Sequence, residues 1–206
     1  ARVTGVQTCA LPIFSYHDVT ELRRASAEIE SLAFYDPLTG LPNRRMLLDR
    51  LGQATQQVQR SGHTGALLFL DLDHFKVLND TRGHEVGDQL LQQVAQRLKA
   101  SVRSCDVVAR LGGDEFVVLL GELSSDPAQA ASQVRHVGEK ILYALAQPYT
   151  LDGQVHRSSC SMGAALFSDG SQSAVELLKR ADIAMYQVKA QRGNALCFFD
   201  PQMQVE

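Results

Sequence analysis

At 206 residues the chain is long enough for one full domain with a flanking segment and too short for two complete ones. Hydrophobic residues at 45% and charged residues at 21% indicate a packed globular core and exclude a disordered chain. Lys and Arg number 20 against 23 Asp and Glu, a formal charge of −3, so no general basic surface exists for nucleic acid, and no apolar run approaches the ~20 residues of a membrane span.

Residues 1–13 are expected to be a non-native segment, because Arg2–Ile13 reads like a translated sequencing adapter, and they are set aside from fold reasoning. Leu22, Ala25, Ile29 and Leu32 follow a 3-4 spacing. That predicts a helix serving either as a short coiled-coil seam or as an amphipathic helix on its own domain. Asp36-Pro37-Leu38-Thr39-Gly40-Leu41-Pro42-Asn43 is turn chemistry. A helix with Leu47, Leu48, Leu51, Ala54 and Val58 on one face follows, and Ser61–Gly65 breaks it.

Ala66–Leu72 is a continuous apolar run, the signature of a central buried strand, and it ends in Asp71-Leu72-Asp73. A second helix is predicted over about Val86–Val102, with Leu90, Val94, Leu98 and Val102 buried. Asp106–Leu111 and Phe116–Leu120 read as a hairpin turning at Gly112-Gly113-Asp114-Glu115. A third helix carries Val134, Val137, Ile141 and Leu145. Tyr149–Leu151 and Val155–Phe167 read as another hairpin around Asp152-Gly153. A fourth helix holds Leu177, Leu178, Ala181, Met185 and Val188, and Ala195–Phe199 closes as a strand. Hairpins among crossovers predict an α/β fold with a mostly antiparallel central sheet flanked by helices.

Two carboxylate clusters stand out: Asp71 with Asp73 at a strand end, and Asp114 with Glu115 at a hairpin tip. If the strands neighbour one another, Asp71 faces Asp114. Like charges so placed call for a cation, and hard oxygen donors without His or Cys suit Mg²⁺ or Mn²⁺. On the residues alone a second reading stays open, with Asp73 capping the turn at Phe75-Lys76-Val77 and Gly-Gly-Asp-Glu a plain tight hairpin. The cysteines Cys9, Cys105, Cys160 and Cys197 show neither CxxC pairing nor ligand spacing, and are expected as reduced thiols of a cytoplasmic protein.

Arg110-Leu111-Gly112-Gly113-Asp114-Glu115-Phe116 resembles the signature of the GGDEF diguanylate cyclases. Asp36–Arg45, Asp71–Asp80, Gly83–Asp88, Ser161–Ala165 and Ala181–Tyr186 resemble the family's other motifs in the same order. The resemblance implies a palm-like nucleotidyl cyclase fold and condensation of two GTP into cyclic di-GMP and two pyrophosphates across a homodimer. It implies two Mg²⁺ or Mn²⁺ per active site, held by Asp71, the Leu72 carbonyl, Asp114 and Glu115, with Asp114 as a general-base candidate. It further implies Lys76 as a transition-state charge stabiliser and Asn79 and Asp88 as guanine readers. Phe75, His84, Gly112 and Gly113 line the nucleotide, and Lys189 and Arg192 meet its phosphates. The family order Lys-x-x-Gly-Arg-Asn is departed from in Lys189-Ala190-Gln191-Arg192-Gly193-Asn194, where Gly and Arg are exchanged.

Arg103-Ser104-Cys105-Asp106 resembles the family's product-binding inhibitory site, with Arg135 a candidate second contact. Asp18–Leu22 resembles the exit of a PAS sensor domain, and Phe198–Met203 a linker into an EAL phosphodiesterase domain. The resulting expectation is a PAS exit and signalling helix over 14–35, the cyclase over 36–199 and a linker over 200–206. The full-length protein would carry these sensor and EAL domains and could be membrane-tethered through a missing region. The alternative function is a catalytically silent module that binds GTP or cyclic di-GMP and regulates a neighbouring domain.

Overall fold

A computed structural model of the chain describes residues 32–191 and 193–204. The chain divides into two units, residues 1–33 and 34–206, and the described fold is that of the second. The 3-4 spacing at Leu22, Ala25 and Ile29, the adapter-like segment and the PAS-like exit lie outside the described residues.

The elements run α1 (Arg44–Ser61), β1 (Thr64–Leu72), α2 (Phe75–Arg82), α3 (His84–Ser101), β2 (Val107–Gly112), β3 (Glu115–Leu123), α4 (Pro127–Ala146), β4 (Tyr149–Leu151), β5 (Gln154–His156), β6 (Cys160–Phe167), α5 (Ala174–Ala190) and β7 (Leu196–Phe198). A 3₁₀ turn over Pro201–Gln204 follows. The main sheet has the order β2-β3-β1-β6-β7 and is antiparallel except for the β6–β7 pair. This is the mixed α/β fold with a mostly antiparallel sheet that the sequence pattern predicts.

All nine residues of β1 are buried, because it is the central strand and both of its faces are covered. Its side chains alternate between two cores. Ala66, Leu68, Leu70 and Leu72 pack with Leu90, Val94 and Leu98 of α3 and Val134, Ile141 and Leu145 of α4. Leu67 and Phe69 pack with Leu47, Leu51 and Val58 of α1 and Leu177, Ala181 and Met185 of α5. Helices are thus layered on each face, and the strand ends are the places left for polar side chains.

Helix starts follow local chemistry. Asn43 caps α1 by accepting from the Arg45 and Met46 N–H groups, Asp126 caps α4 ahead of Pro127, and Ser173 caps α5. The single helix expected over Val86–Val102 begins earlier, at His84, behind a separate short α2 and a turn at Gly83. The strand expected over Val155–Phe167 is two strands. β5 pairs only with β4 in a small separate ribbon, and β6 joins the main sheet. The break falls at residues 157–159, where the Ser159 carbonyl turns to accept from the Asp73 N–H. Among the described residues, no helix is long and apolar enough to cross a membrane.

Candidate active site

The carboxyl end of β1 meets the turn between β2 and β3. Asp71 lies directly opposite Glu115 in the β1–β3 register, and Asp114 sits in the adjoining turn, near enough for its charge to act on Asp71 as the sequence predicts. The register slips between Arg110 and Gly112, and the turn is closed by Gly112 at φ 145° and Gly113 at φ 51°, positions that disfavour any side chain. Arg110 fixes this turn from below. Its guanidinium donates twice to the Gly113 carbonyl, at 3.1 and 2.8 Å, and pairs with both oxygens of Asp36 at 3.0 Å. Sequence reasoning quoted Asp36 and Arg110 inside motifs and gave neither a role.

The acids at the strand end are poorly compensated. Burial raises the Asp71 pKa, the charges of Asp114 and Asp73 push the same way, and Lys189 offsets only part. Burial likewise raises Glu115, reinforced by Asp71, Asp182 and Asp114 and eased by Arg44. Opposed like charges on neighbouring strands cost stability unless something positive stands between them. Lys189 reaches in from the last turn of α5, its Nζ 2.6 Å from Asp71 Oδ1.

The donor set is all hard oxygen, which suits a divalent cation of the Mg²⁺ class. Among the described residues no group of three or more His, Cys, Asp or Glu is gathered to hold a metal by itself. Mg²⁺ is commonly held by one or two carboxylates with the remaining ligands from water and substrate phosphates. Asp71, Glu115, Asp114 and the Leu72 carbonyl are the groups available to it.

Beyond β1 the chain turns at His74, which takes a left-handed conformation (φ 61°), and enters α2. Asp73 does not cap that helix. Its carboxylate accepts from the Ser159 hydroxyl at 2.6 Å, the Ser161 hydroxyl at 2.7 Å and the Asn194 N–H at 3.3 Å. Asp73 therefore ties the β5–β6 break and the turn after α5 to the end of β1, and the capping reading of Asp73 is set aside. Gly193 lies so close that a Cβ there would come within 2.9 Å of the Asp73 oxygens. Arg192, with its exchanged position, lies outside the described residues.

Lys76 is exposed on α2, and His84 and Asp88 are exposed on the first turns of α3. Asn79 stands at the corner between the two helices. Its side-chain oxygen is buried without a hydrogen-bond partner, and a Cβ on Gly87 would overlap it. Gly87 thus makes the room in which Asn79 sits, and the orphan oxygen is a ready acceptor for a ligand donor. Phe75 is 9% exposed, belongs to the core and backs the same corner behind Gly87.

Arg103 and Asp106 form a local turn, in which the Arg103 N–H donates to the Asp106 carboxylate at 2.9 Å. They line a surface cleft of about 490 Å³ with Lys99, Arg50 and Tyr35. Arg135 does not join them within one chain. It lies over the Phe198 ring, 5.3 Å from its centroid, and β7 and β2 are opposite edges of the sheet.

Residues 33–195 match the family described as diguanylate cyclase, GGDEF domain. The bifunctional diguanylate cyclase/cyclic di-GMP phosphodiesterase MucR of Pseudomonas aeruginosa is 47% identical over 184 residues, 89% of this chain and 26% of that protein. The chain spans about a quarter of the length of the curated relatives it matches first. Among solved structures, the coiled coil and GGDEF domain of DgcB from Caulobacter crescentus, in complex with c-di-GMP, superposes with a TM-score of 0.78 at 29% identity, covering 88% of this chain and 94% of that one. The GGDEF domain of TpbB (YfiN) from Pseudomonas aeruginosa gives 0.77 at 35% identity, covering 82% and 96%.

Proposed function

Since the chain belongs to the GGDEF diguanylate cyclase family, we propose that it condenses two GTP into cyclic di-GMP and two pyrophosphates, with each subunit of a homodimer presenting one GTP to the other. The observation that carries this reading is the meeting of Asp71 and Glu115 across β1 and β3, beside a two-glycine turn open to a phosphate chain. Mg²⁺ or Mn²⁺, two per site, would supply charge neutralisation at the α-phosphate and a more acidic attacking 3′-hydroxyl. Asp71, Glu115, Asp114 and the Leu72 carbonyl would hold the metal.

Asn79 and Asp88 read guanine, because an amide and a carboxylate match its mixed acceptor and donor edge. Asn79 brings the unpartnered oxygen that this recognition needs. Lys76 stabilises transition-state charge, Lys189 and Arg192 are the phosphate-contact candidates, and His84 lines the nucleotide segment. Gly112 and Gly113 let the nucleotide approach the backbone, and Phe75 supports the corner from behind. Asp114 stands in the turn as the general-base candidate. Orientation supplies much of the rate, since each attacking hydroxyl must lie in line with the opposite phosphate.

Arg103 and Asp106 form a product-inhibition site, and Arg135 of a second subunit is the contact that one chain alone does not supply. Residues 36–199 are the catalytic unit, a PAS exit and signalling helix precede them, and 200–206 lead toward an EAL domain. The test is incubation of the purified chain with GTP or ATP and Mg²⁺, followed by chromatography. Cyclic di-GMP from GTP alone is the expected product. Nucleotide binding without any product would overturn the catalytic reading in favour of a silent binding module.

A further inference from the structure

A second cleft, of about 460 Å³, lies behind α2. It shares the Asp73-His74-Phe75 wall and Ser159 with the site already described. Residues 77, 78, 81 and 82 of α2 face it, on the opposite side of the helix from Lys76, Asn79 and Asp80 at 100° per residue. Leu78, Leu90, Phe75 and Ala146 give it an apolar floor. Its rim carries Arg82, Arg157, His74 and His156, with hydroxyls from Thr81, Ser158 and Ser159.

The positive charge here is only partly countered. Among the described lining residues Asp73 is the one acid against two arginines, and its hydrogen bonds go to Ser159, Ser161 and Asn194. Neither Arg82 nor Arg157 forms an ion pair among the described residues. Arg82 is held in place by donating to the Leu151 carbonyl at 3.1 Å. Burial, with the neighbouring Arg82 charge, holds His156 below its ordinary pKa, as expected where positive potential is left over. The volume falls in the range of small-molecule pockets, roughly 300–1,000 Å³, and an apolar floor with a few convergent polar groups is their usual make-up.

We propose that this cleft is a second binding site, specific for a small organic anion with an apolar ring body, whose charged group is gripped by Arg82 and Arg157. The inference rests on the cleft's geometry and charge and does not require the cyclase reading. Because α2 is a single eight-residue helix, a ligand on its back touches the element that carries Lys76 and Asn79 on its front.

The test is a two-dimensional amide NMR titration of the full chain in magnesium-free buffer, with naphthalene-1-sulfonate and with the uncharged 1-naphthalenemethanol. Saturable sulfonate shifts are expected at residues 77–82 and 156–159, with affinity about tenfold above the alcohol, the worth of a charge-assisted bond. Arg157→Gln, at an exposed position, should weaken the sulfonate about fivefold without touching the fold. Arg82→Gln with Arg157→Gln should weaken it further. Absence of saturable shifts, shifts centred elsewhere, equal affinity for the alcohol or full affinity in Arg157→Gln would each overturn the proposal.

Discussion

Asp36 and Asp71 are both largely buried carboxylates paired with a basic side chain, and both border the β2–β3 hairpin, yet the fold treats them oppositely. Burial acts against the charge of Asp36, but hydrogen bonds from the Thr39 hydroxyl and Arg110, and then the Thr39 N–H, hold its pKa below the ordinary value. Asp71 has Lys189, but burial and the neighbouring acids win and its pKa is raised. One acid is a fastener whose bonding capacity is met within the chain. The other carries a carboxylate whose charge its surroundings oppose, as expected where a ligand completes the site.

Exchanging the two acids for amides is the sharpest way to break this contrast. Asp71→Asn should lower cyclic di-GMP formation by about 10²–10³-fold, the scale of losing one transition-state electrostatic contact, measured as initial rate at saturating GTP. Asp36→Asn should instead cost about 2 kcal/mol of stability by leaving Arg110 without its counter-charge, read from urea denaturation. Loss of stability in Asp71→Asn and none in Asp36→Asn would reverse the assignment.

A smaller effect is expected at Gly87. The methyl of Gly87→Ala takes the space of the Asn79 side-chain oxygen, the flexible end of a side chain, so Asn79 is displaced. KM for GTP should rise about tenfold, the cost of roughly one specific hydrogen bond, while the melting temperature changes little. An unchanged KM would remove Asn79 from guanine recognition. Least in size, Arg103→Ala should weaken inhibition by added cyclic di-GMP severalfold, the worth of one phosphate-gripping guanidinium. Unaltered inhibition would strike that turn from the regulatory account.

The parts of this design that were legible in sequence are those written locally. The apolar run of β1 and the paired glycines before Asp114 and Glu115 each specify their own short stretch of backbone. The fasteners were not legible, because their partners are distant in the chain. Asp36 and Arg110 are 74 residues apart, and Asp73 meets Ser159 and Ser161 across 86 and 88. The strand predicted over Val155–Phe167 failed for the same reason, since the break is made by Asp73, which no local pattern around residue 157 announces. Register also decides what composition cannot: the β1–β3 ladder sets Glu115 opposite Asp71 and leaves Asp114 in the turn. Family resemblance placed Lys189 at the phosphates and was silent on its contact with Asp71.

Burial and the neighbouring acids act against the ionised form of Asp71, so its charge weakens the fold. A carboxylate whose pKa is raised on folding binds its proton more readily folded than unfolded, so stability falls as pH rises from the ordinary carboxylate value through the raised one. The direct measurement is unfolding free energy against pH for the native chain and Asp71→Asn in metal-free buffer. Asp71→Asn should be the more stable protein at neutral pH, and its advantage should shrink as pH falls through the raised Asp71 pKa. An Asp71→Asn protein less stable than the native chain at neutral pH would contradict the account.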